Sequence, residues 1–454
     1  MVMVSESVRT LKCFLALTEL EPLALGMVLR MVLAFVWHRG RMSCSAAAGS
    51  VASETVHRGE LTRFLARPRW QKIDFNTPLR KALLAKEAGR GRFMFIVDAT
   101  LVSQAGAKTQ NTHSTGNRQR RPKQGRRYNA KKVVRKKCHT FTFGLLITPS
   151  GLRIPFQIPH YTKEYCREKG ITHRTTAESA AELIRGLPLP AGADVVVLGD
   201  TAYDADVVQQ ACREKGYIWI VPANPERVYE GPQGHRPQVR SRLKDWTRLS
   251  LKTIRLRMST GTHAGYRRLS QWRIGPKQKP RVFYAHQERS AVRRVGDVQL
   301  VFSTTKQHLK TATPDDVKIL MTNATGMSVT EVIELYSLRW QIELFFKELK
   351  STLGFHQYRF QDFAAVRAWA EIAITTVLFL EYERAQHLTD RRVPPDARRW
   401  WQRQRLHGLC SGFRQASAGR ELKYLADRLK SVGGIQKLKR LLTAALPNEY
   451  RTPA

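Results

Sequence analysis

Two short apolar runs, each stopping on an aspartate, limit what this chain can fold into more than any other feature. Phe93–Val97 (FMFIV) stops at Asp98, and Asp194–Gly199 (DVVVLG) stops at Asp200. Runs that are apolar at every position, rather than at alternate ones, suit strands buried on both faces, as in parallel sheets covered by helices. In open α/β sheets, the position just past such a strand lies on the rim where sites are built. One aspartate there is most often a plain turn residue. Two in the same setting make a candidate site.

A third carboxylate joins them from a helix. Ser328–Gly354 (SVTEVIELYSLRWQIELFFKELKSTLG) has neither proline nor glycine between Thr330 and Leu353, which predicts one long helix. At about 100° per residue, Tyr336, Arg339, Glu343 and Lys350 fall within an arc of roughly 60°. Leu338, Ile342, Phe345 and Leu349 cluster about 180–240° round from Tyr336, so the helix buries that face and presents the other. Glu334 and Glu348 lie about 160° and 120° from Tyr336, which leaves Glu343 as the glutamate on the stripe. A bare Arg339–Glu343 pair at i,i+4 is the plainer explanation of the spacing.

Asp98, Asp200 and Glu343, with no His or Cys beside them, suit hard cations, Mg²⁺ or Mn²⁺. Two such ions about 3.5–4 Å apart can activate a water or a 3′-hydroxyl for in-line attack on a phosphodiester. Asp204 reads either as a residue supporting the carboxylates from behind or as a helix N-cap before Ala205, with capping the commoner role at such a place.

The charge balance points to a polyanionic partner, without separating a nucleic-acid enzyme from a ribosomal or chromatin-like protein. Lys and Arg number 77 against 37 Asp and Glu, a formal charge of +40. A compact fold with that excess repels itself, and a polyanionic partner accounts for it. At 42% hydrophobic residues the chain is too apolar for a disordered basic tail, and 454 residues can build two or more cores. The six cysteines are scattered, with no CxxC pair or zinc-site spacing, which suits a reducing cytoplasm. Leu11–Trp37 is apolar but broken by Glu19, Glu21, Pro22 and Arg30, short of the ~20 uninterrupted residues of a membrane span.

Along the chain, residues 1–88 read as a helical region and a candidate DNA-binding one; Glu54–Trp70 is a basic helix that a helix-turn-helix could use. Residues 89–225 read as the first part of an α/β core. The core holds a hairpin of Thr140–Thr148 and Leu152–Ile158, the strand Tyr217–Val221, and helices at Ala177–Gly186 and Ala205–Lys215. Between its strands, Lys108–Lys137 is too basic for a spacer, and Arg126, Arg127, Lys131 and Lys132 are its candidate phosphate contacts. Residues 226–304 are strand-like throughout (Leu251–Arg257, Ser270–Ile274, Arg281–His286, Gln299–Ser303) and read as a β-rich insertion. Residues 305–387 complete the core, with a strand at Val317–Thr322 and a long apolar helix at Val366–His387. Residues 388–454 are basic and helical.

The order Asp98, Asp200, Glu343, together with Y-x2-R-x3-E-x6-K over Tyr336, Arg339, Glu343 and Lys350, resembles the DDE transposases of bacterial insertion sequences, the YREK-signature subgroup in particular. LGDTAYDA around Asp200 is similar to the corresponding region of that family. The resemblance runs from about Phe93 to His387. It implies an RNase H-like mixed sheet with flanking helices, interrupted by a β-rich insertion. It also implies two Mg²⁺ ions, with Mn²⁺ as a substitute, on the three carboxylates. The activity implied is cutting at transposon ends and joining of 3′ ends to target DNA, by a homodimer on paired ends in the bacterial cytoplasm. A tryptophan of the insertion stacks on a flipped base in such enzymes; Trp246 and Trp272 are the candidates. The residues leave three alternatives open: an RNase H-like nuclease or resolvase, a catalytically idle DNA-binding descendant and, disfavoured by the length and the carboxylates, a basic RNA-binding structural protein.

Overall fold

The computed structural model describes residues 5–38, 41–50, 57–67, 74–87, 91–104, 106, 108–115, 136–224, 227–230, 252–256, 281–305, 316–390 and 395–414. Arg126, Arg127, Lys131, Lys132, Trp246, Trp272 and the expected strand Ser270–Ile274 lie outside them. The chain divides into two compact units, Glu87–Lys347 and the pair of segments Met1–Lys86 and Glu348–Ala454.

The first unit is built on one mixed sheet. Its strands are β1 (Phe93–Gln104), β2 (His113–Thr115), β3 (Lys136–Ile147), β4 (Arg153–Pro159), β5 (Val195–Leu198), β6 (Ile218–Pro222), β7 (Tyr229–Glu230), β8 (Lys252–Leu256), β9 (Arg281–Val292), β10 (Gly296–Thr304) and β11 (Lys318–Thr322). The order is β2-β3-β1-β5-β6-β11-β10-β9-β7, with β4 on β3 and β8 on β9. Among the described residues, only β1-β5 and β5-β6 pair in parallel, and the remaining pairs are antiparallel. Met94 to Val97 and Val195 to Leu198 are all buried, as strands covered on both faces require.

The apolar run around Phe93 is longer in space than its composition implied. β1 does not stop at Asp98 but continues to Gln104, paired there, among the described residues, with β3 only, from Asp98↔Phe143 to Gln104↔Lys137. Its parallel pairing with β5 does stop, at Ile96↔Leu198. Asp98 therefore marks where β1 parts from β5, not where it ends.

In the second unit the helices α1 (Ser5–Leu15), α2 (Pro22–Trp37), α3 (Cys44–Ser50), α4 (Arg58–Ala66) and α5 (Asn76–Leu84) precede the sheet in sequence. The long apolar helix predicted at Val366–His387 spans Phe363–Thr389. By length and composition it could cross a membrane, yet 83% of its most apolar window is buried within the protein; a helix apolar all round is also what a core demands. It carries Trp369 edge-on to Phe35 of α2, ring centroids 4.9 Å apart. Asn76 at the start of α5 donates to the Glu371 carboxylate at 2.8 Å and accepts from Thr375 at 2.9 Å. Glu381 and Arg384 form a buried ion pair at 3.2 Å, where each offsets the other's desolvation.

Candidate active site

Register alone brings two of the expected residues together. Ile96 of β1 lies beside Leu198 of β5, the last pair between them, and Asp98 and Asp200 each follow two residues later in the chain. Asp200 Oδ1 accepts from Ala202 N at 2.9 Å and so opens a short 3-10 turn over Thr201–Tyr203. Asp98 Oδ1 accepts from Ala99 N at 2.7 Å.

The third carboxylate arrives on a broken helix. The segment read as one helix forms α9 (Val329–Ser337) and α10 (Trp340–Leu353), and the stripe is divided between them. Around the joint the backbone bonds tighten to i→i−3: Leu338 to Leu335, Arg339 to Tyr336, Gln341 to Leu338 and Ile342 to Arg339. The Ser337 hydroxyl also donates to the Glu334 carbonyl at 2.6 Å, which competes for an acceptor in that last turn. A short tight stretch of this kind inside a helix is often a hinge at a working site. No proline or glycine announces it.

Two sets of contacts hold these helices over the sheet. Arg92, just before β1, pairs with Asp194 at 2.9 Å and with Glu331 in the first turn of α9 at 2.6 Å. Phe143 is the cross-strand partner of Asp98, and directly opposed residues share a face of the sheet. Its ring lies 5.3 Å from Phe346 and 6.2 Å from Phe345, both edge-on. That contact seats the first half of α10, and Glu343 with it, above Asp98.

Arg339 links the carboxylates. Nη2 donates to Glu343 Oε1, and Nη1 donates to Asp98 Oδ2 at 3.4 Å. Burial pushes the Asp98 carboxyl up from 3.8 to about 6. The negative charges of Asp200 and Glu343 add to the rise, and the Ala99 amide and Arg339 hold it back. Asp98, Asp200, Glu343 and Arg339 thus feel one another's charge. Among the described residues, no three acidic, His or Cys side chains are gathered tightly enough to hold a metal as they stand.

Tyr336 departs from its expected place. It is 8% exposed, and burial pushes its phenol up to about 12. At the end of α9, ahead of the tight joint, it turns inward and does not reach solvent. The Lys318 ammonium, at the start of β11, sits 4.6 Å from its ring centroid, a cation–π contact. Burial lowers the Lys318 proton affinity, and the charge of Arg339 lowers it further. Nothing in the spacing tied Lys318 to the stripe; only the folding of β11 beside α9 brings it there.

Lys350 lies seven residues past Glu343 on α10, in the part of that helix belonging to the helical unit. Burial pushes its amine below the ordinary value. Glu334 is exposed on α9. Glu348 is buried and accepts from Leu406 N at 3.2 Å.

Asp204 is not the N-cap of the helix that follows; it closes the 3-10 turn Thr201–Tyr203, its N–H donating to the Thr201 carbonyl. The N-cap of α8 (Asp206–Lys215) is Ala205, without a side-chain bond. The fully buried Asp204 carboxylate instead accepts from Gln209 Nε2 at 2.7 Å, Asn224 N at 2.7 Å and Arg227 at 3.0 Å. It ties the loop after Asp200 to the chain leaving β6. That role needs Arg227, distant in sequence, which a local reading does not supply.

A sheet rim carrying acidic side chains, in a strongly basic chain, is a setting that suits chemistry on a phosphodiester backbone. Residues 27–260 match the family described as DDE superfamily endonuclease, and residues 168–379 match the one described as transposase DDE domain. The first match encloses Asp98 and Asp200, the second Asp200 and Glu343. No curated protein matches the chain. The chain belongs to the DDE superfamily of transposases and endonucleases, enzymes of the polynucleotidyl transferase and endonuclease class that act on DNA and generally use divalent metal ions.

Proposed function

We propose that this chain is a YREK-type transposase that cuts DNA at the ends of an insertion sequence. It then joins the freed 3′ ends to target DNA by metal-dependent transesterification. The observation that carries this reading is that Asp98 and Asp200 each follow the last β1-β5 pair by two residues, with Arg339 joining Asp98 to Glu343.

A divalent cation suits these residues. The donors are all carboxylate oxygens, the chemistry of hard cations. Asp98 holds its proton up to about pH 6 because burial and two like-charged neighbours burden its ionised form, a strain that a dication would relieve. Asp98, Asp200 and Glu343 would hold two Mg²⁺ ions, or Mn²⁺ in their place. Bound there, the ions would activate the attacking oxygen and stabilise the leaving one.

The rest is done by the chain's own side chains. Arg339, freed from Asp98 and Glu343 once a cation takes over their charge, can turn its fork to a phosphate. Lys318, resting on the Tyr336 ring, and Lys350 add point charges along the strand. Arg126, Arg127, Lys131 and Lys132 supply further phosphate contacts. In this reading, 89–225 and 305–387 form the catalytic core, 226–304 the insertion, 1–88 a DNA-binding region and 388–454 a basic helical region. A homodimer in the cytoplasm brings two ends together.

The test is incubation of the full chain with paired copies of the DNA flanking its gene, a target plasmid and Mg²⁺. End joining is expected. Cleavage without joining would mean a nuclease or resolvase, and binding without cleavage an idle descendant.

A further inference from the structure

Tyr203 completes the turn that Asp200 opens, its backbone N–H donating to the Asp200 carbonyl at 3.0 Å. The residue is 2% exposed. Its buried hydroxyl has no hydrogen-bond partner among the described residues.

Gly199 makes that position possible. A Cβ there would stand 2.8 Å from Tyr203 Cβ and 3.3 Å from Val97 Cγ2. The base of the Tyr203 side chain thereby packs onto Gly199, which itself lies beside Val97, the residue before Asp98. Burial, with the charges of Asp98 and Asp200 behind it, holds the phenol proton far more tightly than usual. The group is a donor at any working pH.

A buried donor without an acceptor destabilises the fold, and a phenylalanine of the same shape would avoid that cost. Two carboxylates lie within range of its charge, yet they bond elsewhere: Asp98 to Ala99 and Arg339, Asp200 to Ala202. A donor kept in this way beside two acids suits an oxygen that arrives from outside the protein.

We infer that Tyr203 is a positioning residue of the metal site, its hydroxyl donating to a water that enters in the coordination shell of a divalent cation held by Asp98 and Asp200. The inference rests on the reading of those aspartates as metal ligands. Residues one step out from a metal orient what binds it, and their loss typically weakens affinity about 10–100-fold.

The test uses full-length protein and Mn²⁺ as the probe, its free signal followed by electron paramagnetic resonance, with thermal midpoints taken in EDTA. Tyr203→Phe is expected to melt at or above the wild-type midpoint, because it removes an unsatisfied group. It should bind Mn²⁺ about tenfold more weakly. Half-saturating Mg²⁺ in end cleavage should rise, with the rate at saturating Mg²⁺ within a few-fold of wild type. Mn²⁺ affinity within twofold of wild type overturns the inference. So does a variant that melts lower or fails to fold, since the hydroxyl would then be holding the apoprotein together. Asp98→Asn, run alongside, separates the two levels. If it retains Mn²⁺ binding, the metal-site reading itself fails; if it loses binding and Tyr203→Phe does not, only the role of Tyr203 falls.

Discussion

Arg339 Nη1 donates to Asp98 Oδ2 at 3.4 Å, joining the helix joint to the strand across 241 residues of sequence. The same guanidinium bonds Glu343. Arg339 is therefore more than one half of an i,i+4 pair. It is the internal counter-ion of two acids that share a half-buried site.

From this follows a prediction for Arg339→Ala in EDTA. An exposed i,i+4 pair is worth only about 0.3–0.5 kcal/mol, too little to move the midpoint of a chain this size by more than a degree or two. Loss of a counter-ion to two acids should lower it by several degrees at pH 7.5. The deficit should shrink toward pH 5, where Asp98 takes up its proton. A deficit equal at both pH values would return Arg339 to a simple pair.

Asp98 gives a prediction of opposite sign. Its carboxyl titrates at about 6 in the fold against an ordinary 3.8. The native state thus binds the proton more tightly than the unfolded chain. Stability falls as pH rises from about 3.8 to 6, and the penalty is complete above that. Asp98→Asn removes it. In EDTA the variant should melt with the wild type below pH 4 and above it at pH 7.5, while losing all cleavage. A lower midpoint than wild type at pH 7.5 contradicts the account.

Cleavage assays on carboxylate variants check the choice of third acid. Asp98→Asn, Asp200→Asn and Glu343→Gln should each abolish cleavage and joining yet keep DNA binding, which rests on many basic residues. Glu334 is exposed on α9, so Glu334→Gln should stay within a few-fold of wild type. An inactive Glu334→Gln beside an active Glu343→Gln would falsify the assignment.

The two aspartates were legible because their surroundings are simple. Phe93 to Val97 and Val195 to Leu198 are apolar at every position, a pattern with few solutions. Beyond Asp98 the strand runs on as ATLVSQ, with Leu101 exposed, and pairing with β3 keeps it extended. The buried face of Leu338, Ile342, Phe345 and Leu349 was legible too, since all four are buried. The joint between α9 and α10 was not, because it is made by tightened backbone bonds and a serine that any helix tolerates. Lys318 and Arg227 could not be read at all. Each acts through a partner brought near only by the folded sheet.

The basic stretch before β3 carries a salt prediction. Neutralising Arg126, Arg127, Lys131 and Lys132 together should weaken binding alike on end DNA and unrelated DNA. It should also flatten the dependence of log affinity on log salt by about 0.9 for each phosphate that the variant no longer neutralises. A slope equal to that of wild type removes these four residues from the interface.

Tyr336 and Lys318 supply the sharpest departure from the sequence pattern. A tyrosine on an exposed stripe would work through its hydroxyl, donating to a phosphate, and Tyr336→Phe would then be as damaging as Tyr336→Ala. In the fold the ring is buried, Lys318 rests 4.6 Å from its centre, and the phenol also bonds Arg339. Phenylalanine keeps the ring and gives up only one of the acceptors around Arg339. Alanine removes the surface that holds Lys318, and a cation–π contact at a partly desolvated site is worth about 1–2 kcal/mol. End cleavage should therefore rank wild type first, Tyr336→Phe within about threefold, and Tyr336→Ala and Lys318→Ala together at about 5- to 30-fold lower, the fold-change that energy implies. Midpoints in EDTA, measured beside the rates, separate a local effect on the site from a failure to fold. If Tyr336→Phe falls to the level of Tyr336→Ala while Lys318→Ala cleaves normally, the hydroxyl is the working group and the ring is only its support.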